Sequence, residues 1–501
     1  MNRIFSFPIM LASTLVALAV LSVRSRFNDP DLWWHLRTGR IIWTNRAVPR
    51  IDLLSFTTGQ HAWVPHEWLS QLSIYGAWRA GDYAGLMLWL CFMAAALLVT
   101  QYLLCLLYSG NARVAFLGAL VTWFFSTIGL SIRPQVLGFA LLACELLILH
   151  LGRSRDRRWF YALPVLFAVW VNAHGSFFFG LIVLAVALLS GLVHANAGLI
   201  RSRLMDPARR KTLLWAAALS AAALFVNPVG IELLAYPLRT MFDARMQLSA
   251  VDEWQKLSFD DIRAFGLLAV AGTIVLIALV RQTVLYLDEI VLLAVAFCLA
   301  VLHQRLLFAW GIVAAPILCR QLADVWKGHL PHRERLLPNT ILILASLGVA
   351  ITAFPARSAL AAQVRRGNPV EAVDFIRRTH LTGRMLNEYG YGGYLSWALP
   401  EQKVFIDGRA DVYAWTGVFE DYGAWATLRE DPSRLLDKYG IEWCLLSQSA
   451  PLARVMRYLP GWSEKYSDSS SVIFTRDPTR RGDRRVPAIT GPKAAAHKTT
   501  L

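Results

Sequence analysis

Apolar runs recur along most of this chain, near residues 5–23, 84–107, 114–130, 136–151, 159–171, 177–193, 213–226, 264–280, 289–302, 306–318 and 340–354. Short charged or Pro/Gly-bearing segments cut them apart. Helices that cross about 30 Å of hydrocarbon need about 20 mostly apolar residues, so the pattern predicts a polytopic α-helical membrane protein of about 11 transmembrane helices. After residue 354 the pattern changes. Short apolar segments alternate with amphipathic ones from 355 to 476, which predicts an α/β domain.

The first two runs are separated by a long loop, 24–83, rich in tryptophan. Within it "DLWWHLRTGRIIW" (31–43) has a helical period: Asp31, His35 and Thr38 share one face, while Leu32, Leu36 and Trp43 mark another. A second helix is expected from "PHEWLSQLSIYGAW" (65–78). Trp33, Trp34, Trp43, Trp63, Trp68 and Trp78 suit a water–lipid boundary, where an indole can be half dry, so the loop is expected to lie along the membrane surface.

In the carboxy-terminal domain Asn368 and Pro369 announce a helix start. Strands are expected at "RMLNE", "KVFI", "IEWCLLS" and as a pair near 462–475, with a short helix at "YGYGGYLSWAL". Residues 477–501 are basic, poor in large apolar side chains and predicted to be disordered. The expected organisation is therefore a membrane domain, 1–354, an outer domain, 355–476, and a tail.

Composition agrees with the pattern. Of 501 residues 56% are hydrophobic and 17% charged, with a mean hydropathy of +0.44, which excludes an ordinary soluble globule. The net charge of +16 does not point to nucleic acid, because the basic residues cluster in alternate loops: Arg153, Arg155, Arg157 and Arg158; Arg201, Arg203, Arg209, Arg210 and Lys211; Arg320, Lys327, Arg333 and Arg335. The positive-inside rule then puts the amino terminus inside, and the first loop and the carboxy-terminal domain outside, of an inner (plasma) membrane. Six cysteines at scattered positions give no disulfide framework and no zinc spacing.

Several polar residues stand out against this apolar background. Asp29 and Asp31, at the start of a helix, are stabilised as anions there; they can cap the helix, hold a divalent cation such as Mg or Mn, or take a proton from a hydroxyl. His66 and Glu67 open the second helix and can face Asp31 as ligands or proton-transfer partners, Asp31 and Glu67 being the metal-ligand pair. The remaining turns on the same side carry Arg133 and Gln135, Asn172 and His174, Asn227, Asp252 and Glu253, and His303 and Arg305. An arginine at a membrane face pairs with an anion, either a lipid head group or a substrate phosphate. Glu145, within a span, requires a partner or a proton. "FIDGRADVY" (405–413) brings Asp407, Arg409 and Asp411 together, either as an internal ion pair or as part of a binding surface, and Tyr389, Tyr391 and Tyr394 either stack on a sugar or pack the domain.

One span, a long outer loop opening on an acidic motif, a many-helix body and an outer α/β domain: this arrangement resembles the membrane-embedded GT-C fold glycosyltransferases, which use polyprenyl-phosphate-linked sugars. Locally the chain resembles the catalytic subunits of oligosaccharyltransferases, whose first loop carries an Asp, two aromatics and a His or Asn; Asp31, Trp33, Trp34 and His35 occupy that pattern. Their Trp-Trp-Asp-Tyr-Gly motif is matched only loosely by "NEYGYGGYLSW", which lacks the double Trp and the Asp, so recognition of an asparagine sequon is not carried over. The resemblance implies sugar transfer from a polyprenyl-phosphate donor to a glycan, lipid or protein acceptor at the outer face, with Asp31 as base or metal ligand and Asp29 assisting. Arg133 and Arg305 would offset charge on the departing phosphate, and His66 and Glu67 would orient the acceptor or complete a metal site. His35, Gln135, His174, Asp407 and Arg409 are further substrate-binding candidates.

Two other classes compete. A transporter would carry polar residues through facing helices, often in inverted repeats, whereas here only Glu145 stands out. A noncatalytic scaffold for envelope assembly would use the outer domain for binding and would leave Asp31, His66 and the arginines dispersed.

Overall fold

The computed structural model describes residues 4–477 except 60, 237–251, 324, 327–333 and 414–415. The chain forms two compact units: one comprises the residues up to Val48 with Val64–Arg366, the other Pro49–Trp63 with the residues from Gly367 onward. The expected tail beyond 477 lies outside the described residues, as do Lys327 and Arg333.

The first unit is a helical bundle. Its helices are α1 (Phe7–Val23), α2 (Asp31–Asn45), α3 (Trp68–Ser109), α4 (Ala112–Ser126), α5 (Gln135–Ser154), α6 (Ala162–Ala173), α7 (Phe177–Leu189), α8 (Pro207–Ala223), α9 (Ile262–Arg281), α10 (Leu287–Leu302), α11 (Leu307–Leu322), α12 (Leu336–Ala353) and α13 (Arg357–Gly367). Every apolar run in the sequence falls on helix. Among the described residues six helical stretches are long and apolar enough to cross a membrane: α3, Ala112–Gly129, α5, α9, Gln304–Leu322 and α12; α1 and α7 are shorter apolar helices. The chain is a multi-pass membrane protein. Polar side chains start several helices: Asn111 accepts from the backbone N–H of Arg113 (3.1 Å), Asp206 from that of Arg209 (2.9 Å) and Asp261 from that of Arg263 (2.8 Å).

Helix α3 is the hub, packing against α1, α2, α4, α5 and α11. The expected short helix and the following span are one element, bent where Gly81 (φ −167°, ψ 27°) and Asp82 (φ 50°, ψ −133°) leave helical geometry. Helix α11 is the most enclosed of the spans, and α12 exposes Leu337, Ile341, Leu344 and Ile351, a surface that hydrocarbon would cover. Three two-residue strands, β1 (Asn196–Ala197), β2 (Ile200–Arg201) and β3 (Leu285–Tyr286), tie the α7–α8 connection to the start of α10. The basic loops there are partly neutralised: Arg153 meets Asp288 at 2.5 Å, Arg203 meets Glu289 at 2.8 Å, and Arg320 also pairs with Glu289.

Helix α2 does not lie free on a surface. Its expected polar face, with His35 and Thr38, is as buried as Leu32 and Leu36. The reason is Gly39, where a Cβ would come within 2.2 Å of the Gln71 carbonyl oxygen; its absence lets α2 and α3 touch backbone to backbone. The tryptophans follow suit. Trp33, Trp34 and Trp63 are buried in protein, and Trp33 sits edge-on to Phe27 and Tyr83 (6.5 and 6.4 Å). Ahead of α2, Gln363 of α13 fixes the chain, accepting from the Phe27 N–H (3.2 Å) and donating to the Arg24 carbonyl (3.0 Å).

The second unit holds a four-stranded sheet, β4 (Met385–Asn387), β5 (Trp443–Ser447), β6 (Trp462–Ser467) and β7 (Ser471–Arg476), in the order β4-β5-β7-β6. Strand β4 runs parallel to β5, and the other pairs are antiparallel, with Cys444 opposite both Leu386 and Phe474. The amphipathic helix α14 (Val370–Thr379), which starts one residue later than Pro369 suggests, buries Ala372, Val373 and Ile376. The expected strand "KVFI" is not one. Val404 forms a single bridge with Ser55, while the Asn387 side chain accepts from the Phe405 N–H and donates to the Ile406 carbonyl, each at 2.8 Å, and so replaces a ladder.

Residues 49–63 belong to this unit because "DGRAD" holds them. Arg409 donates through Nε and Nη2 to Asp407 (2.8 and 2.7 Å) and through Nη1 to Asp52 (2.7 Å), over the Trp63 ring at 4.7 Å. Asp52 also accepts from the Leu54 N–H (2.9 Å) and Thr58 Oγ1 (2.9 Å). All three charged groups are fully buried. The substrate-binding expectation for Asp407 and Arg409 therefore gives way to a clasp, since no face of either reaches solvent. Arg409→Ala, which leaves two buried carboxylates without a counter-charge, is expected to destabilise this unit by about 3–5 kcal/mol. Thermal unfolding and limited proteolysis of the full chain in detergent would read the loss.

Candidate functional site

The residues at the head of α2 belong to a dense charge group of the first unit. Asp29 Oδ1 accepts from the Asp31 N–H (3.0 Å), so Asp29 starts the helix, and Asp31 occupies its first turn. Arg133 comes from the turn between α4 and α5. Its Nε lies 2.6 Å from Asp29 Oδ2, its Nη2 lies 3.1 Å from Asp31 Oδ2, and its Nη1 donates to Glu253. Each nitrogen of one guanidinium thus faces a different carboxylate. Arg305, from the α10–α11 turn, reaches the other Glu253 oxygen at 3.7 Å and lies over the Trp254 ring (5.3 Å). Trp34 Nε1 donates to Asp31 Oδ1 (3.1 Å).

Three carboxylates share two guanidinium groups, leaving one excess negative charge. Asp31 bears the consequence. Burial pushes its carboxyl up to about 6; the pull of Arg133 opposes this, while Asp29 and Glu253 add to it. Burial acts in the same direction on Glu253, but Arg305 and Arg133 outweigh it and hold that carboxyl below its usual range. Asp31 is therefore the member of the group poised to exchange a proton near neutrality.

A second group adjoins it around Glu67, just before α3. His174 Nε2 lies 3.4 Å from Glu67 Oε1, His66 Nε2 lies 3.6 Å from the same oxygen, and His35 Nδ1 lies 3.9 Å from Oε2. Burial lowers all three imidazoles, and Arg305 adds to the effect at each. They are neutral at pH 7. The Ser176 N–H donates to His174 Nδ1 (3.1 Å), so the proton of that ring sits on Nε2, directed at Glu67. The α6 end is fixed to α3 by Trp68 Nε1 donating to Asn172 (2.7 Å) and by Ser70 Oγ donating to the Ala173 carbonyl (2.7 Å).

Asp29, Asp31, Arg133, Arg305, His35, His66, Glu67 and His174 thus come together in one unit from four separate turns. Gln135 does not join them: its amide donates to the Gly129 carbonyl (3.0 Å) and closes the turn after α4. Asn227 likewise serves its own turn, accepting from the Val229 N–H (2.8 Å). The Asp252 side chain lies outside the described residues. Glu145 is fully buried beside Trp170 and Gly180, and neither of its oxygens has a hydrogen-bond partner among the described residues. Sequence reasoning set Glu253 among the polar residues of the outer turns but gave it no role; its signal, the acidic pair in "DEW" ahead of α9, became specific only once Arg133 and Arg305 met on it. Among the described residues no three His, Cys, Asp or Glu side chains converge on one point in a way that would hold a metal, and Asp29 and Asp31 face Arg133.

No protein-family model and no curated protein sequence matches the chain. Solved structures do. The Archaeoglobus fulgidus oligosaccharyltransferase tethered with an acceptor peptide superposes with a TM-score of 0.57 at 11% identity, over 95% of this chain and 75% of that one. ArnT from Cupriavidus metallidurans bound to undecaprenyl phosphate gives 0.53 at 12% identity, over 96% and 98% of the two chains, and its apo state gives 0.55 at 13% identity over 92% and 96%. These are GT-C fold glycosyltransferases, and the chain shares their fold.

Arg133 can be tested as the organiser of the acidic group. Arg133→Ala, which takes the counter-charge from Asp29 and Asp31 and leaves Glu253 to Arg305, is expected to cost about 3–5 kcal/mol in the stability of the first unit. Arg133→Lys keeps the charge but cannot face three partners at once, so thermal unfolding in detergent should rank wild type above Lys above Ala.

Proposed function

We propose that the protein is a membrane glycosyltransferase that moves a sugar from a polyprenyl-phosphate carrier to an acceptor hydroxyl at the outer face of the membrane. The observation that carries this reading is Asp31: a carboxyl poised near pH 6 against the Arg133 guanidinium, in a chain with the GT-C fold. The carrier's tail stays in hydrocarbon, so its sugar–phosphate bond must be met at the membrane edge. The site residues lie in the first loop and in the turns before α5, α7, α9 and α11, whereas the basic clusters lie in the alternate connections, which supports the sidedness.

In this mechanism Asp31 takes the proton of the acceptor hydroxyl as its oxygen bonds to the anomeric carbon. The bond from that carbon to the phosphate oxygen breaks, and the lipid phosphate leaves with the electron pair. Arg305 and the Nη1 edge of Arg133 meet the charge that develops on the phosphate, an electrostatic role that strengthens where water is excluded. Asp29 and Arg133 hold Asp31 in place. Glu67, with the neutral His35, His66 and His174, orients the acceptor. No step is assigned to a metal.

Asp31→Asn should reduce sugar transfer by a factor of about 100 or more while leaving the fold and the binding of the lipid donor intact. Incubating purified protein with polyprenyl-phosphate sugars of several kinds and following release of the lipid phosphate would measure this; full activity in the variant would reject the assignment. The base must be ionised to act. The wild-type rate at low donor concentration should therefore rise with pH through about 6 and level off above it.

A further inference from the structure

Arg133 and Arg305 are not bare. Both hold Glu253, Arg133 through Nη1 to Oε1 and Arg305 through Nη1 to Oε2 at 3.7 Å. The carboxylate is 29% exposed, the most open of the three acids in the group. Its backbone, in contrast, is anchored. The Trp254 carbonyl lies 3.0 Å from His303 Nδ1, and the Gln304 N–H donates to the Gln255 carbonyl (3.0 Å), so the 252–254 turn is fixed to the same α10–α11 corner that carries Arg305. A long flexible side chain on a fixed turn can leave its partners by rotation alone. An anionic oxygen pair between two guanidinium groups also has the charge and spacing of two oxygens of a phosphate.

We propose that Glu253 is a built-in competitor for the carrier phosphate: its carboxylate and the lipid phosphate exchange for one another on Arg133 and Arg305. The inference rests on the reading of the site given above and adds a role in carrier turnover. Its chemical reason is the change in charge during transfer. A phosphodiester donor carries one negative charge, whereas the released monoester carries about 1.5 to 2 near pH 7. Two arginines would hold the product more tightly than the substrate and slow turnover. A tethered carboxylate that returns to them opposes that retention and leaves no guanidinium unpaired at any stage. Glu253 in this role is a positioning residue rather than a catalytic one, since the bond changes do not involve it.

The experiment uses the full chain in lipid nanodiscs with undecaprenyl phosphate as the probe, comparing wild type with Glu253→Gln and Glu253→Asp. Glu253→Gln removes the competing charge and should bind undecaprenyl phosphate about tenfold more tightly, with slower dissociation and a larger rise in melting temperature on adding the lipid. Glu253→Asp, which keeps the charge but shortens its reach, should shift the affinity in the same direction by less, and it serves if the Gln variant does not fold. In a transfer assay Glu253→Gln should show a lower donor KM and a lower kcat together, a split that a purely structural role would not produce. Unchanged or weaker binding of undecaprenyl phosphate by both variants would overturn the proposal. Absence of binding by the wild-type protein would instead overturn the lipid-phosphate reading on which it rests.

Discussion

One guanidinium group, that of Arg133, holds the candidate site together. It takes a carboxylate on each nitrogen, and those carboxylates come from the loop before α2, from the first turn of α2 and from the turn ahead of α9. Taking any one of these charges out of water alone would be costly; shared on a planar fork, they are tolerable. The arrangement has a second effect. One arginine, helped by Arg305, cannot satisfy three acids, and the shortfall falls on Asp31, whose carboxyl is pushed up to about 6. The contact that secures the loop is thus also the one that leaves a proton-exchanging group at its centre.

The packing of α2 makes this possible. Gly39 lets the helix meet α3 at backbone distance, and Trp33 is wedged against Phe27 and Tyr83. An acidic helix held by lipid contacts alone would have tilted freely and placed Asp31 imprecisely. Enclosure in protein fixes its depth and lets burial tune its chemistry. The same enclosure brings His35, one turn further along α2, into the group around Glu67 with His66 and His174. Two polar groups of different character, one built on arginines and carboxylates, the other on neutral imidazoles around Glu67, therefore adjoin one another.

The clasp in the other unit looks similar in sequence and differs in kind. Asp52, Asp407 and Arg409 balance to one negative charge as well, yet every donor and acceptor there is turned inward and the whole is sealed under Trp63. Its product is attachment of residues 49–63 to the sheet domain. Charge alone does not mark a functional site. Access to solvent or lipid separates the two cases, since only the group around Asp31 keeps its side chains partly open.

The sequence by itself determined the apolar helices of the bundle, the sheet segments β4 to β7 and the alternation of polar with basic turns, because hydrophobic period and charge placement act locally and read directly from residue order. It also brought Asp29, Asp31, Glu67, His66, Arg133 and Arg305 forward, since ionisable groups at a membrane edge are too costly to be incidental. What it could not reach depended on partners far apart in the chain. Glu253 became part of the site only when folding set it between two arginines, 120 and 52 residues away in sequence. Likewise "DGRAD" became a clasp when Asp52 arrived from the first loop, and "KVFI" lost its ladder to the Asn387 side chain. Burial, and with it the proton affinity of Asp31, is a property of the packed neighbourhood, so only the tertiary structure decided it.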